Sequence, residues 1–293
     1  MRLVLVGGSG FLGTHVARTL LKRGHEVLVL SRRGRGPLEG VRYLKADAAK
    51  GEGLEILAGA DAAIYLAGII REREQTFEAV HVEGVRGVVE AMRSFGVRRL
   101  FHVSALGARR GTKSRYFETK AKGEEVVRAS GLDWTIFRPS LVFGEGDEFF
   151  GKILKGLVRM PLPFIPIIGS GAYPFRPVWA GDVAEALSQS LEKPETLAEA
   201  YDLVGPKEYT YRELVLLMRD ALGSKKPLLS LPVGFFSVLS RMPGAPITPD
   251  QLFMLLEGNT ADPSRMREAF ALEGRTLEAE LPLILGLEFT KDG

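Results

Sequence analysis

Short apolar runs alternate with stretches in which apolar residues recur every three or four positions, and this rhythm holds for about the first two thirds of the chain. Leu3–Val6 is an apolar run closed by Gly7 and Gly8. Phe11–Arg23 follows, with Leu12, Val16 and Leu20 at helical spacing, until Gly24 stops it. Val27–Leu30, Val41–Leu44, Ala62–Leu66, Leu100–Val103 and Thr135–Arg138 are further predicted strands. Helices are predicted over 52–58, 76–95 and 117–130, the last two ending at Gly96 and Gly131. Such alternation implies right-handed crossovers, and hence a parallel sheet with helices on both faces.

From Gly144 the rhythm breaks. Pro and Gly become frequent, and only Gly181–Leu191 as helix and Ala200–Val204 as strand resume the pattern. Residues 206–293 read as mostly helical, with Tyr211–Leu222, Gln251–Glu257 and Pro263–Phe270 as helices. The expected architecture is α/β, a doubly wound parallel sheet of the Rossmann kind over 1–143 plus 177–205. A smaller, mainly helical C-terminal lobe is expected over 144–176 plus 206–293.

Composition then narrows the chemistry. The 293 residues include no Cys, which excludes disulfides, thiol catalysis and thiolate-held metals. The only His residues, His15, His25, His81 and His102, are dispersed, so no metal site is expected. Asn occurs once, at Asn259, and Gln only at Gln75, Gln189 and Gln251, an amide-poor pattern expected of a heat-exposed intracellular protein. The net charge of +3 is too small to predict a nucleic-acid partner. Yet residues 1–50 hold ten Lys/Arg against three Asp/Glu, which is +7 and leaves −4 for the rest. The first segment is therefore expected to meet an anion.

No membrane span is expected. The longest uncharged stretch, Met160–Phe175, is shorter than the roughly 20 residues a bilayer requires, and Pro161, Pro163, Pro166 and Pro174 interrupt it. The opening MRLVLVGGSGFLG imitates a signal peptide, but cleavage would remove a strand and a glycine loop that the pattern needs. The expected localisation is cytoplasmic.

That loop, Gly7-Gly8-Ser9-Gly10-Phe11-Leu12-Gly13, directly follows a strand and opens a helix. Glycines there permit the tight turn, let the backbone approach a pyrophosphate and allow helix to pack on strand, while the helix N-terminus offers N–H groups and partial positive charge. An NAD-type site would end its second strand in an acid. This chain reads Leu30-Ser31-Arg32-Arg33, with no acid before Glu39. A hydroxyl and two guanidinium forks suit a 2′-phosphate, so NADP(H) is expected over NAD(H). The plainer alternative is that Arg32, Arg33 and Arg35 decorate a solvated loop.

Gly7–Gly13, Asp47, Ala67-Gly68, Ser104, Tyr116-x-x-x-Lys120 and Arg138-Pro139-Ser140 together resemble the short-chain dehydrogenase/reductase superfamily. HVSALGA, RYFETKAKGEEVV, IFRPSLVFG and PFRPVWAGDVAEAL are most similar to its extended and atypical members, the group that includes the Rossmann-type NADPH-binding accessory subunit of complex I. The resemblance covers about 1–205 with specific motifs and 206–293 loosely. It implies that Asp47 reaches the adenine, that Ala67 and Gly68 line the path to the nicotinamide ribose, and that Pro139 sits beside the nicotinamide.

Tyr116 and Lys120, four apart, share a helix face. An ammonium beside a phenol favours the phenolate, which suits a general acid or base in hydride transfer to a carbonyl. Ser104 is placed to bond the substrate oxygen, and Lys120 also to reach the ribose. Two departures stand out. His81 falls where catalytic members carry an Asn that supports a proton relay, and it either substitutes in that role beside the substrate or packs as an ordinary helix His. The interval from Ser104 to Tyr116 is also short. In the second lobe, the resemblance implies that Arg176, in Phe175-Arg176-Pro177-Val178, is a candidate substrate-phosphate ligand, and Asp182 beside Gly181 is an expected helix N-cap. Met160–Ile168 and Leu231–Leu239 are apolar enough to line a pocket or a partner surface, although buried packing is the plainer explanation.

The expected function is an NADP(H)-dependent oxidoreductase acting on a small carbonyl or alcohol, alone, as a homodimer or in a larger complex. The alternatives are a structural or sensor protein that holds NADPH without turnover, and a nucleotide-sugar epimerase or dehydratase.

Overall fold

A computed structural model describes residues 1–287. The chain divides into two units, one formed by Met1–Pro139, Ala180–Leu203 and Ser264–Leu272, the other by Ser140–Trp179, Val204–Pro263 and the segment from Glu273 onward.

In the first unit, β1 (Arg2–Val6), β2 (Glu26–Ser31), β3 (Arg42–Lys45), β4 (Ala62–Tyr65), β5 (Arg99–Val103) and β6 (Asp133–Pro139) join Glu199–Leu203 in a seven-stranded sheet. Its order runs from Glu199–Leu203 through β6, β5, β4, β1 and β2 to β3, every pair parallel. β1, β2 and β4 are buried on both faces, which is why their sequences are continuous Val, Leu, Ile and Ala rather than alternating. Between β1 and β4 the strand order reverses. Loops leaving neighbouring strands there diverge, and a crevice for ligand opens at the carboxyl edge.

One face is covered by α1 (Phe11–Lys22), which packs on the helix Ala180–Gln189. The other carries α2 (Gly84–Ser94) and α3 (Arg115–Arg128), whose Val85, Val88, Met92 and Val127 meet Val4, Leu28, Ala63 and Leu100 of the sheet. Helix Ser264–Phe270 lies against the edge strand, with the Phe270 ring 4.9 Å from Tyr201 and 6.1 Å from Phe137.

Two expectations need correction. The helix expected over 52–58 is only the short 3-10 turn Leu54–Leu57, because Gly51 and Gly53 at positive φ break the backbone before it. Asp182 sits in the first turn of a helix that already begins at Ala180, so it is not the cap. The helix expected over 76–95 is present, but its first turns, Ala79–Glu83, are π-helical before α2 begins. A wide turn of that kind is costly and recurs near functional sites.

The second unit has its own core, built on Phe143, Phe150, Ile165, Leu214 and Leu281. Its strand Ile165–Ile168 pairs in parallel with Leu228–Leu231, and Pro174–Phe175 pairs antiparallel with Tyr209–Thr210. Helices Tyr211–Ala221 and Pro249–Glu257 each open with a reciprocal capping box, Thr210 with Glu213 and Thr248 with Gln251. Among the described residues no helix is long and apolar enough to cross a membrane.

α3 sits close on the π-helical turn because Gly123 has no side chain: a Cβ there would run into the His81 carbonyl oxygen. Gly123→Ala is expected to destabilise the protein by about 2 kcal/mol, the cost of forcing packed backbones apart. Gly156→Ala, whose Cβ would meet nothing within 4 Å, is expected to be neutral or mildly stabilising. Denaturant midpoints of the two variants check the contrast.

Candidate active site

The glycine loop leaves β1 beside the exit of β4. Gly7 has φ +82°, and a Cβ on it would stand 2.5 Å from the Ala67 Cα, so both the turn and the close approach require glycine. Gly13 is likewise pressed against the Gly8 backbone, which seats α1 on the loop. Gly10 differs: a Cβ there would meet only the Gly7 carbonyl oxygen, at 3.9 Å. Packing within the protein does not explain Gly10, whereas close approach of a pyrophosphate does. Gly10 is also the N-cap of α1, with no side chain capping it and no acid in the first turn, so the positive helix end is not neutralised locally.

At the end of β2, Ser31 Oγ accepts the Gly34 N–H at 3.2 Å and its carbonyl takes those of Gly34 and Ala46, which fixes the turn carrying Arg32 and Arg33. Both guanidiniums are exposed. Arg32 pairs with Glu74 at 3.1 Å, a surface contact of small energetic weight. Asp47, after β3, caps a short turn through the Ala49 N–H at 3.2 Å.

Behind the loop of β4, three elements converge. A Cβ on Gly68 would lie 3.2 Å from Lys120 Nζ and 3.9 Å from His81 Nε2, so this glycine gives way to both. Lys120 is buried and its ammonium donates to the Val103 carbonyl at 3.2 Å. Burial pushes Lys120 down to about 8, against the pull of Glu124. Tyr116, one turn earlier on α3, is boxed edge-on by the rings of Phe77 (5.9 Å), His81 (5.4 Å) and Phe117 (5.6 Å), and Lys120 Nζ lies 6.0 Å from its ring centre.

The hydrogen bonds of His81 assign its tautomer. Nε2 accepts the Ile69 N–H at 3.2 Å, so the proton is on Nδ1, which donates to Thr119 Oγ1 at 2.9 Å; that hydroxyl donates on to the Arg115 carbonyl at 2.8 Å. Burial, with the Lys120 ammonium nearby, holds His81 down at about 2. Ser104 is also buried, at the carboxyl end of β5. Its N–H is tied to the Phe137 carbonyl, but its hydroxyl has no partner among the described residues. Pro139 ends β6, with its carbonyl bonded to the Leu106 N–H. Arg176 belongs to the second unit, where its guanidinium lies 3.8 Å from Glu208 while its buried Nε has no partner among the described residues.

Sequence reasoning missed the groups that hold α3 in place. Arg138 donates two hydrogen bonds to the buried carboxylate of Glu124, at 2.7 and 2.5 Å, bracing α3 to β6. Arg115, beside Tyr116, does the same to Glu72, at 2.8 and 3.2 Å, while Glu72 also accepts the Phe77 N–H. His102, on β5, is buried with neither ring nitrogen bonded among the described residues and is held down at about 3 by burial and by Lys120. The only available signal was the charge of these residues, which gives no partner across 14 or 43 positions.

A glycine loop at the switch point of a parallel sheet, with a Tyr–Lys pair and a free Ser hydroxyl at the same edge, defines an NAD(P)-binding Rossmann protein. The NAD(P)H-binding family model matches residues 7–148. The ceramide reductase of Caulobacter vibrioides is 32% identical over 238 residues, covering 78% of this chain and 73% of its own. The mitochondrial NADH-ubiquinone oxidoreductase 40 kDa subunit of Neurospora crassa is 27% identical over 236 residues, 77% of this chain. The chain spans 61% of that subunit's length and 59% of the related Arabidopsis thaliana subunit's. In fold it is similar to the UDP-glucose 4-epimerase of Thermus thermophilus in complex with NAD, with TM-score 0.76, 22% identity and 98% of both chains covered. The chain belongs to the NAD(P)H-binding proteins of the short-chain dehydrogenase/reductase superfamily, in its extended and atypical branch.

Both buried imidazoles are neutral in the folded state and titrate near 6.5 when unfolded. As pH falls below about 6.5 the unfolded chain binds the extra protons, so stability should fall with pH in that range. In NMR spectra the His81 and His102 ring resonances are expected not to titrate between about pH 8 and pH 5. A midpoint near 6 for either would contradict the assignment.

Proposed function

We propose that this chain is an NADP(H)-dependent reductase or dehydrogenase acting on a small carbonyl or alcohol. The observation that carries the reading is Ser104 Oγ, a buried hydroxyl with no partner among the described residues, next to Val103, whose carbonyl accepts from Lys120. An unpaired buried hydroxyl costs roughly 1–3 kcal/mol, which a substrate oxygen would offset.

Gly7, Gly8, Ser9, Gly10, Phe11, Leu12 and Gly13 would hold the pyrophosphate, Ser31, Arg32 and Arg33 the 2′-phosphate, and Asp47 the adenine. Ala67, Gly68, Lys120 and Pro139 would border the ribose and the nicotinamide. The bound nicotinamide supplies or takes the hydride. Ser104 donates to the substrate oxygen and fixes its direction. Tyr116 gives its proton to that oxygen in reduction and takes one in oxidation, while the Lys120 ammonium stabilises the phenolate left behind. His81, locked as a neutral donor and acceptor, orients the Tyr116 ring rather than touching substrate.

That lock also favours a second reading, a protein that holds NADPH without turnover inside a larger assembly, since the family resemblance implies a relay Asn at the position of His81. Names such as the 40 kDa subunit suit it. Stopped-flow and steady-state assays over a carbonyl panel separate the two. Under the first reading NADPH is oxidised, and Tyr116→Phe abolishes turnover without changing the NADPH Kd; under the second, NADPH binds tightly and neither protein oxidises it. A UDP-sugar that raises the melting temperature would point instead to epimerase chemistry.

Because the Lys120 ammonium is lost on going above about pH 8, kcat/KM for reduction is expected to fall as pH rises through that value. Isothermal titration should show NADPH bound more tightly than NADH. Arg32→Ala with Arg33→Ala should remove the preference, a loss of about tenfold or more for a charge-assisted phosphate contact. Equal affinities in the parent would contradict the cofactor assignment.

A further inference from the structure

From Gly223 to Pro249 the chain carries Lys225, Lys226 and Arg241 and no Asp or Glu, although the residues after position 50 are net acidic. Within this stretch the strand Leu228–Leu231 leads through Pro232 into the helix Val233–Leu239. The coil continues one tight turn further, with the N–H groups of Ser240, Arg241 and Met242 donating to the carbonyls of Phe236, Val238 and Leu239. Phe236 is buried in the core of the second unit, with Val233 and Leu239 packed beside it. The opposite face is apolar as well: Phe235 is 55% exposed, Val238 65% and Met242 57%, with Leu229 on the preceding strand at 44%. A helix that is apolar all round is normally covered on every side, so this face wants a cover.

A second copy of the chain is a poor cover. A two-fold interface sets a patch against itself, and this stretch carries Lys225 and Arg241 with no acid of its own to pair with them. An anionic lipid surface supplies what is missing, hydrocarbon for the apolar face and phosphate for the cations. Lys226 stays with the protein, its ammonium bound to the Val158 and Met160 carbonyls, which leaves Lys225 and Arg241 as the exposed cations.

We propose that the segment from Leu229 to Met242 is a membrane-surface docking face, in which Phe235, Val238 and Met242 enter the headgroup region of an anionic bilayer while Lys225 and Arg241 meet lipid phosphates. It lies on the bilayer surface and does not cross it. The proposal is independent of the cofactor and the reaction.

Co-sedimentation of the full chain with vesicles tests it, using phosphatidylcholine alone and mixed in equal parts with phosphatidylglycerol. The protein should bind the mixed vesicles at low salt, lose binding as salt screens the phosphates, and pass over pure phosphatidylcholine. Phe235→Ser with Val238→Ser should weaken binding about tenfold or more, and Arg241→Glu, which keeps the apolar face, should weaken it too. Both changes lie on the surface, and an unchanged melting curve verifies the fold. No binding to mixed vesicles, or binding indifferent to these substitutions, overturns the proposal. So does a dimer in sedimentation velocity that Phe235→Ser with Val238→Ser dissociates, because the face would then belong to a second copy.

Discussion

Lys120 carries an ammonium into the interior of the sheet-bearing unit, where the Val103 carbonyl accepts a hydrogen bond from one of its three N–H groups. Removing a charge from water costs several kcal/mol unless partners replace the water, and the depressed pKa of about 8 records how incompletely they do. Much of the surrounding structure serves to make that position possible. Gly68 leaves room for the amine, Gly123 lets α3 approach the π-helical turn, and the Arg138–Glu124 pair braces the C-terminal half of α3 to β6. A ligand that brings hydroxyls or negative charge to the carboxyl edge relieves the cost. A buried, incompletely satisfied charge therefore lies at the edge where a ligand would relieve it.

The same reasoning explains the aromatic and imidazole groups around Tyr116. Burial and the nearby Lys120 charge hold His81 neutral, and its two hydrogen bonds fix the tautomer, so it does not compete with Lys120 for a proton across the ordinary pH range. Phe77, His81 and Phe117 hold the phenol by its ring edges and leave its direction to the turn of α3 on which it stands. Glu72, reaching from the segment after β4, anchors that turn through Arg115.

What the sequence disclosed and what it hid follow a physical division. The strand–helix rhythm, the glycine loop and the i, i+4 placement of Tyr116 and Lys120 are local patterns, and the sheet order and helix α3 agree with them. The π-helical turn at Ala79–Glu83 is not local in origin: the Tyr65 hydroxyl donates to the Val80 carbonyl, and Gly84 makes room for that hydroxyl. The return of Ser264–Phe270 to the sheet-bearing unit was equally hidden, since it rests on Phe270 meeting Tyr201 and Phe137, far away in the chain. The apolar run Leu231–Leu239 left core packing and a partner surface both open, because such a run reads alike whichever side is covered; exposure of Phe235 and Val238 separates the two sides.

Native mass spectrometry of the full chain, purified without added nucleotide and then titrated with NADPH and NADH in competition, tests the account most directly. One NADP(H) per chain is expected, retained or taken up in preference to NAD(H), with the preference lost when Arg32 and Arg33 are replaced by Ala. Preferential uptake of NAD(H), or no uptake of either nucleotide by the folded protein, would contradict it.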